Sequence, residues 1–228
     1  VDVQDAYPNN YTDYLDTIPH LFYYNAFLIL SNGTEAKVGT LGSKYEFFHE
    51  WKRLSEQEQG SVALETMLRG ICKKENFLDL LENFILFDHS GGHTAKILAR
   101  NHQYLGVNEA IKAYEARKLN NGKLGVFWHT QGSGKSYSMV FLAQKIRRKF
   151  SGSPTIVILT DRDELNTQIS DTFENCGILG KAKASQFIAS SGDDLIDKLK
   201  GNPSFIFTLI QKFNKTDVEP IYPDHDIV

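Results

Sequence analysis

Cysteine is scarce: the 228 residues hold two, Cys72 and Cys176. Neither sits in a CxxC or other metal-ligand spacing, which argues against a disulfide framework. Two isolated thiols fit a reducing, cytoplasmic setting. Long apolar runs are missing as well. No stretch approaches the roughly 18 residues that a membrane helix needs, and Val1-Asp2-Val3-Gln4-Asp5 lacks the cationic segment and apolar core of an export signal. No membrane partner is expected. Positive charge is not in excess either, with 25 Lys and Arg against 28 Asp and Glu and a net charge of -3. A pI near 6.2 gives no global basic footprint, so any contact with nucleic acid must be local. The chain holds seven histidines, of which His89 and His93 lie four apart, and there is no internal repeat or low-complexity segment. The chain starts without methionine and stops on Asp226-Ile227-Val228, which reads as the start of a buried strand. The expectation is that both ends are cut from a longer chain.

What is present is a phosphate-binding loop. The apolar run Leu124–Trp128 leads into His129-Thr130-Gln131-Gly132-Ser133-Gly134-Lys135-Ser136, and a helical pattern leaves it. In such a strand–loop–helix unit the glycines let backbone N–H groups turn inward onto phosphate oxygens. The lysine reaches the β- and γ-phosphates, and the Ser136 hydroxyl ligates Mg²⁺. Thr130, Gln131, Gly132, Ser133, Gly134, Lys135 and Ser136 are therefore the expected nucleotide contacts, with Lys135 the catalytic cation. The helix opening at Ser136 adds its positive end to the same anion. The strict pattern G-x-x-x-x-G-K-[ST] has glycine where this chain has His129, which becomes a loop residue shaping the pocket.

Residues 19–41 read as extended, with Leu21–Tyr24 and Ala26–Leu30 rich in strand formers and Asn32-Gly33 marking a hairpin whose return strand is Glu35–Leu41. Residues 44–87 read as helical. Asp88-His89-Ser90-Gly91-Gly92-His93 breaks that pattern and places a domain joint near residue 90. Helices are expected over Lys96–Gln103 and Asn108–Lys118, then the Asn120-Asn121-Gly122 turn and a strand at Leu124–Trp128. Next come a strand at Pro154–Thr160, a helix with Leu165, Ile169 and Phe173 on one face opened by an Asp161/Glu164 capping pair, a helix at Asp193–Leu199, and strands at Phe205–Ile210 and His225–Val228. This alternation predicts an α/β fold with a parallel sheet covered on both faces. The cations Lys145, Arg147, Arg148 and Lys149 read as a solvated helix end.

Several blocks together resemble the restriction (R) subunit of type I restriction endonucleases over nearly the whole length. They are Ile18-Pro19-His20-Leu21-Phe22 with Tyr24-Asn25, Lys96 through Tyr104, Gly125 through Ser136, Thr160 through Leu165, and Thr208 through Phe213. The resemblance implies the C-terminal part of a nuclease domain, a smaller α+β segment over 1–90. It is followed over 91–228 by the first RecA-like domain of a superfamily 2 helicase-like motor, ending before its Walker B acids. It implies ATP and Mg²⁺ as cofactors and duplex DNA, a methyltransferase subunit and a specificity subunit as partners. The implied parent is an ATP-dependent type I site-specific deoxyribonuclease, with residues 1–228 alone expected to be inactive. Gln103, about thirty residues ahead of Lys135, falls where such motors place an adenine-reading glutamine, with Arg100 beside it; an amide can donate and accept, matching the paired adenine edge. Segments at strand carboxyl ends face nucleic acid in the resembled motors, which makes Arg162, Gln168, Gln211 and Lys212 candidate DNA contacts.

Glu35-Ala36-Lys37 puts an acid and a lysine on one strand face, as a metal-dependent nuclease would. No suitable aspartate precedes it, the family's nuclease residues would lie before Val1, and its glutamine–tyrosine pair corresponds here to Asn10 and Tyr14. Glu35 and Lys37 are therefore expected to form a same-face ion pair. Two readings from other classes stay open: a P-loop small-molecule kinase, which would need a lid and an acceptor site, and a non-catalytic ATP-binding module.

Overall fold

The computed structural model describes residues 2–214, 219, 221 and 226–228. Its architecture is α/β, with three two-stranded sheets among helices, and the chain divides into two compact units. One comprises Val1–Phe87 with Gly91–Ser138, the other Asp88–Ser90 with Met139–Val228. No helix among the described residues is long and apolar enough to cross a membrane.

In the first unit, β1 (Leu28–Ser31) and β2 (Ala36–Gly39) pair antiparallel from Leu28↔Gly39 to Ser31↔Ala36. The hairpin closes as expected, because Asn32 Oδ1 accepts the N–H groups of Thr34 (3.0 Å) and Glu35 (2.8 Å) while Gly33 takes φ +95°. Pro19–Phe22, expected extended, is instead a 3₁₀ turn, since proline opens a turn readily with its φ already fixed. Below it, Tyr11 lies edge-on to Tyr7 at 5.3 Å and to Phe22 at 5.6 Å, in a cluster with Val3, Leu30 and Phe48. Lys37 stands 4.7 Å over the Tyr45 ring, and the expected pairing with Glu35 is not formed among the described residues.

Only part of residues 44–87 is helical: short turns at Tyr45–Phe47, Leu64–Met67 and Leu68–Cys72, then α1 (Lys74–Asn83). The chain between doubles back, with Ser61 N–H donating to Lys52 O at 2.9 Å. Trp51 is buried against Gly70, where any Cβ would collide with the indole. Strands β3 (Ile85–Asp88) and β4 (Ala95–Leu98) pair, so residues 96–98 are strand rather than the expected helix. Four residues are too few to display a period, and pairing decides their state. α2 (Asn101–Glu115) then runs without a break through Gly106, whose missing side chain leaves room for the Phe127 ring.

The expected strand at Leu124–Trp128 is absent. Its residues join no ladder among the described residues, and Val126 and Trp128 are 94% and 81% exposed. A buried strand takes its hydrogen bonds from neighbours, and here no neighbour engages it. α3 (Lys135–Lys149) follows the loop. Its last turn carries Arg147, Arg148 and Lys149 as expected, but Lys145 is buried rather than solvated.

In the second unit, β5 (Ile156–Thr160), α4 (Asp163–Asn175), α5 (Gly192–Lys200) and β6 (Phe205–Leu209) alternate as read from the sequence. β5 and β6 pair in parallel from Ile156↔Phe205 to Thr160↔Leu209. Parallel bridges flank them, Ile188↔Phe207 on one side and Thr155↔Ile227 on the other; His225, the first residue of the strand expected there, lies outside the described residues. Ile169 and Phe173 of α4 are buried, with Phe173 edge-on to Phe205 (5.5 Å) and Phe207 (5.3 Å). The Asp161/Glu164 cap does not form. Arg162 occupies the N-cap of α4 with no side-chain bond there, and Asp161 pairs with it at 3.5 Å. α5 is capped by Ser191, whose hydroxyl accepts the Asp194 N–H at 3.1 Å.

Candidate nucleotide-binding loop and strand-end cluster

Gly132 and Gly134 adopt φ +77° and +83°, backbone that glycine enters at little cost and other residues avoid. They bend the chain twice before α3 begins at Lys135. Lys135 Nζ donates to the His129 carbonyl (2.8 Å) and the Thr130 carbonyl (3.0 Å), so the ammonium lies over the mouth of its own loop. Ser133 N–H donates to Thr130 O at 3.3 Å, and Ser138 N–H starts the helical ladder on Gly134 O at 3.1 Å. Ser133 Oγ is buried without a hydrogen-bond partner among the described residues. Two glycine bends, a lysine with no carboxylate partner among the described residues and an orphaned hydroxyl come together in this loop. That donor set fits a polyphosphate, with the Ser136 hydroxyl at the helix start fitting its Mg²⁺.

The start of α2 braces this loop. Gln103 is buried, its Oε1 accepting the Arg100 N–H (2.8 Å) and its Nε2 donating to Gly134 O (2.9 Å). Its neighbour His102, which sequence reasoning missed, places Nε2 3.0 Å from Ser133 O. The signal was there only as adjacency to Gln103. His129 sits edge-on between Phe127 (4.3 Å) and His102 (4.7 Å). Burial, with the positive charge that His102 would carry, holds its pKa below the ordinary imidazole value. Arg100 is exposed and lines a cleft of about 410 Å³ with His49, Lys52, Arg53, Asn101 and His102. Both ring nitrogens of His49 are buried there with no hydrogen-bond partner among the described residues. Burial first, then the Arg100 guanidinium, pushes its pKa down to about 4.

Of the candidate DNA contacts, all in the second unit, Arg162 and Gln211 follow the carboxyl ends of β5 and β6 and both engage Asp161: Gln211 Nε2 donates to its carbonyl (3.0 Å), and Arg162 pairs with its carboxylate (3.5 Å). Lys212 turns away to donate to Ala189 O. Gln168 is exposed on α4, where its carbonyl accepts the Thr172 Oγ1 hydroxyl at 2.8 Å.

Comparison with known proteins falls on the same segments. Residues 102–228 match the SWI2/SNF2 ATPase family. The chain is 37% identical over 226 residues to the type I restriction enzyme HindI endonuclease subunit of Haemophilus influenzae, an alignment covering 94% of this chain and 21% of that protein. It is 30% identical to the MjaIXP endonuclease subunit of Methanocaldococcus jannaschii, over 96% of this chain and 22% of that one. A type I restriction enzyme endonuclease subunit of Staphylococcus saprophyticus, SsaAORF53P, is 24% identical over 86% of this chain and 20% of its own length. The chain thus spans about a fifth of the length of the relatives it matches. A glycine-bent loop ending in Lys135 inside the matched segment, and a similarity to restriction endonuclease subunits that runs on through the residues before it, lead to one assignment: the chain belongs to the SWI2/SNF2 ATPase family.

Proposed function

We propose that this chain is the ATP-binding part of a type I restriction endonuclease subunit, whose parent couples ATP hydrolysis to translocation of duplex DNA and to its cleavage alongside methyltransferase and specificity subunits. The observation that carries this reading is the loop from His129 to Ser136, bent at Gly132 and Gly134 and closed by Lys135 at the start of α3. Residues 1–90 then belong to the end of a nuclease domain and 91–228 to a RecA-like domain with a parallel sheet between helices. The parallel pairing of β5 and β6, with bridges on both sides, supports that sheet.

In this reading the loop N–H groups and Lys135 hold the phosphates, and Ser136 holds Mg²⁺, which neutralises phosphate charge when bound. Gln103 spends one N–H and one lone pair inside the protein. An amide has two of each, so one donor and one acceptor remain for the adenine edge, with Arg100 alongside. Arg162 and Gln211 at the strand ends, with Gln168 and Lys212, supply local DNA contacts in a chain whose net charge of -3 offers no general attraction.

Calorimetry with Mg-ATP tests the reading. Charge-assisted bonds from the ammonium carry much of the anion affinity, so Lys135→Ala should bind at least about tenfold more weakly with an unchanged unfolding midpoint. Equal affinity in parent and variant would remove the phosphate-loop assignment.

A further inference from the structure

Two adjacent side chains on the first turn of α2 reach two adjacent carbonyls of the loop. His102 Nε2 lies 3.0 Å from Ser133 O, and Gln103 Nε2 lies 2.9 Å from Gly134 O. The two bonds differ in what they add. Gly134 O already accepts the Ser138 N–H at 3.1 Å, so the helix sets that peptide whether or not Gln103 is present. The peptide before it, joining Ser133 to Gly134, stands one step outside the helical ladder. It is followed by a glycine at φ +83°, where the absence of a Cβ makes rotation of the peptide plane easy. The imidazole is the side chain that holds it.

The carbonyl and the N–H of a trans peptide point to opposite sides of the chain. Drawing Ser133 O towards α2 therefore turns the Gly134 N–H away from α2. We propose that His102 is a positioning residue for the nucleotide site: it locks the Ser133–Gly134 peptide so that the Gly134 N–H faces the bound phosphate chain. This rests on the reading of the loop as an ATP site. A carbonyl can only accept, so the imidazole carries its proton on Nε2 in this bond. The ring is kept in place by its edge-on packing against His129 at 4.7 Å.

An N–H set in advance spares the ligand the work of turning it, and that advantage belongs to phosphates, not to the base. The test uses His102→Gln, whose amide reaches about as far as Nε2, and His102→Asn, whose shorter amide does not. Both are polar and suited to a helix start. Dissociation constants are measured for Mg-ATP, Mg-GTP and Mg-tripolyphosphate, with the unfolding midpoint recorded for each protein. His102→Asn should weaken all three ligands by one common factor of about ten, the worth of one oriented hydrogen bond. His102→Gln should stay within about threefold of the parent, and the ATP-to-GTP ratio should not move. An unchanged affinity in His102→Asn overturns the proposal, and so does a loss confined to the nucleotides, which would place His102 on base or sugar. If the parent itself binds none of the three, the ATP reading falls and the positioning role falls with it. A parent that binds while His102→Asn binds equally well refutes the positioning role alone.

Discussion

Alanine at Gly134 should damage the loop in a way that alanine at Gly132 does not. Both glycines sit at positive φ, +83° and +77°, and placing an L-residue there costs about 1–2 kcal/mol. Beyond that strain the sites differ. A Cβ on Gly132 meets nothing within 4 Å, whereas one on Gly134 falls 2.8 Å from Gln103 Nε2. The amide would have to withdraw, breaking its bond to Gly134 O and leaving a buried N–H unpaired, which adds about 1–3 kcal/mol. Gly132→Ala should therefore lose about 1–2 kcal/mol and Gly134→Ala about 2–5 kcal/mol in the first unit. Urea unfolding followed by the fluorescence of buried Trp51 reads that difference. A double-mutant cycle isolates its cause: with Gln103→Ala in the background the extra loss at Gly134 should disappear, a coupling of about 1–3 kcal/mol. Equal losses at the two glycines, or an excess at Gly134 that survives removal of Gln103, would refute the contact as the source.

Asp194 is held down to about 2, first by its hydrogen bond with Lys198 and then by the Ser190 N–H. Its folded pKa is depressed, so its contribution is present above about pH 4 and lost as pH falls towards 2; Asp194→Asn should lower the unfolding midpoint at pH 6 and match the parent at pH 2. His49 is buried with a folded pKa of about 4 against about 6.5 unfolded. Protons then favour the unfolded chain below pH 6.5, and the parent should lose up to about 3 kcal/mol between pH 6.5 and 4; a His49→Leu titration just as steep over that range would contradict this. Cys176 is buried with its thiol pushed up to about 12, by burial and then by Asp88, while Cys72 is exposed. Iodoacetamide at pH 8 should label Cys72 well before Cys176, and mass spectrometry of the peptides would reveal the opposite order.

The second unit was the more legible in the sequence, for a physical reason. Pro154–Thr160 is apolar at nearly every position and Leu165, Ile169 and Phe173 recur at i, i+4, i+8, so composition and periodicity agree with the strand and helix that form, although Leu159 and Leu165 are exposed. Lys96–Leu98 was misread because the four-residue strand that holds it is decided by its partner β3. Leu124–Trp128 was misread for the opposite reason: its composition suits a strand, but no partner engages it among the described residues. At the loop, the glycines and Lys135 were visible because the residue types themselves set the backbone. The family resemblance pointed to Gln103, but its burial and its bond to Gly134 O depend on how α2 meets the loop. His102 had no pattern of its own, because a histidine bonding a backbone carbonyl needs no second side chain at a fixed interval.

Under the proposed nucleotide role, the Lys135 ammonium, tied to the carbonyls of His129 and Thr130, makes occupation of the loop an exchange rather than an insertion. A lysine free in solvent gives up about 2 kcal/mol of rotamer freedom when it is pinned to a ligand, and much of that loss has already been taken by folding. An incoming anion would compete with two neutral acceptors, and each further charge on its oxygens would tip that contest towards the ligand. In that role the folded loop would favour ligands of high charge density over singly charged ones.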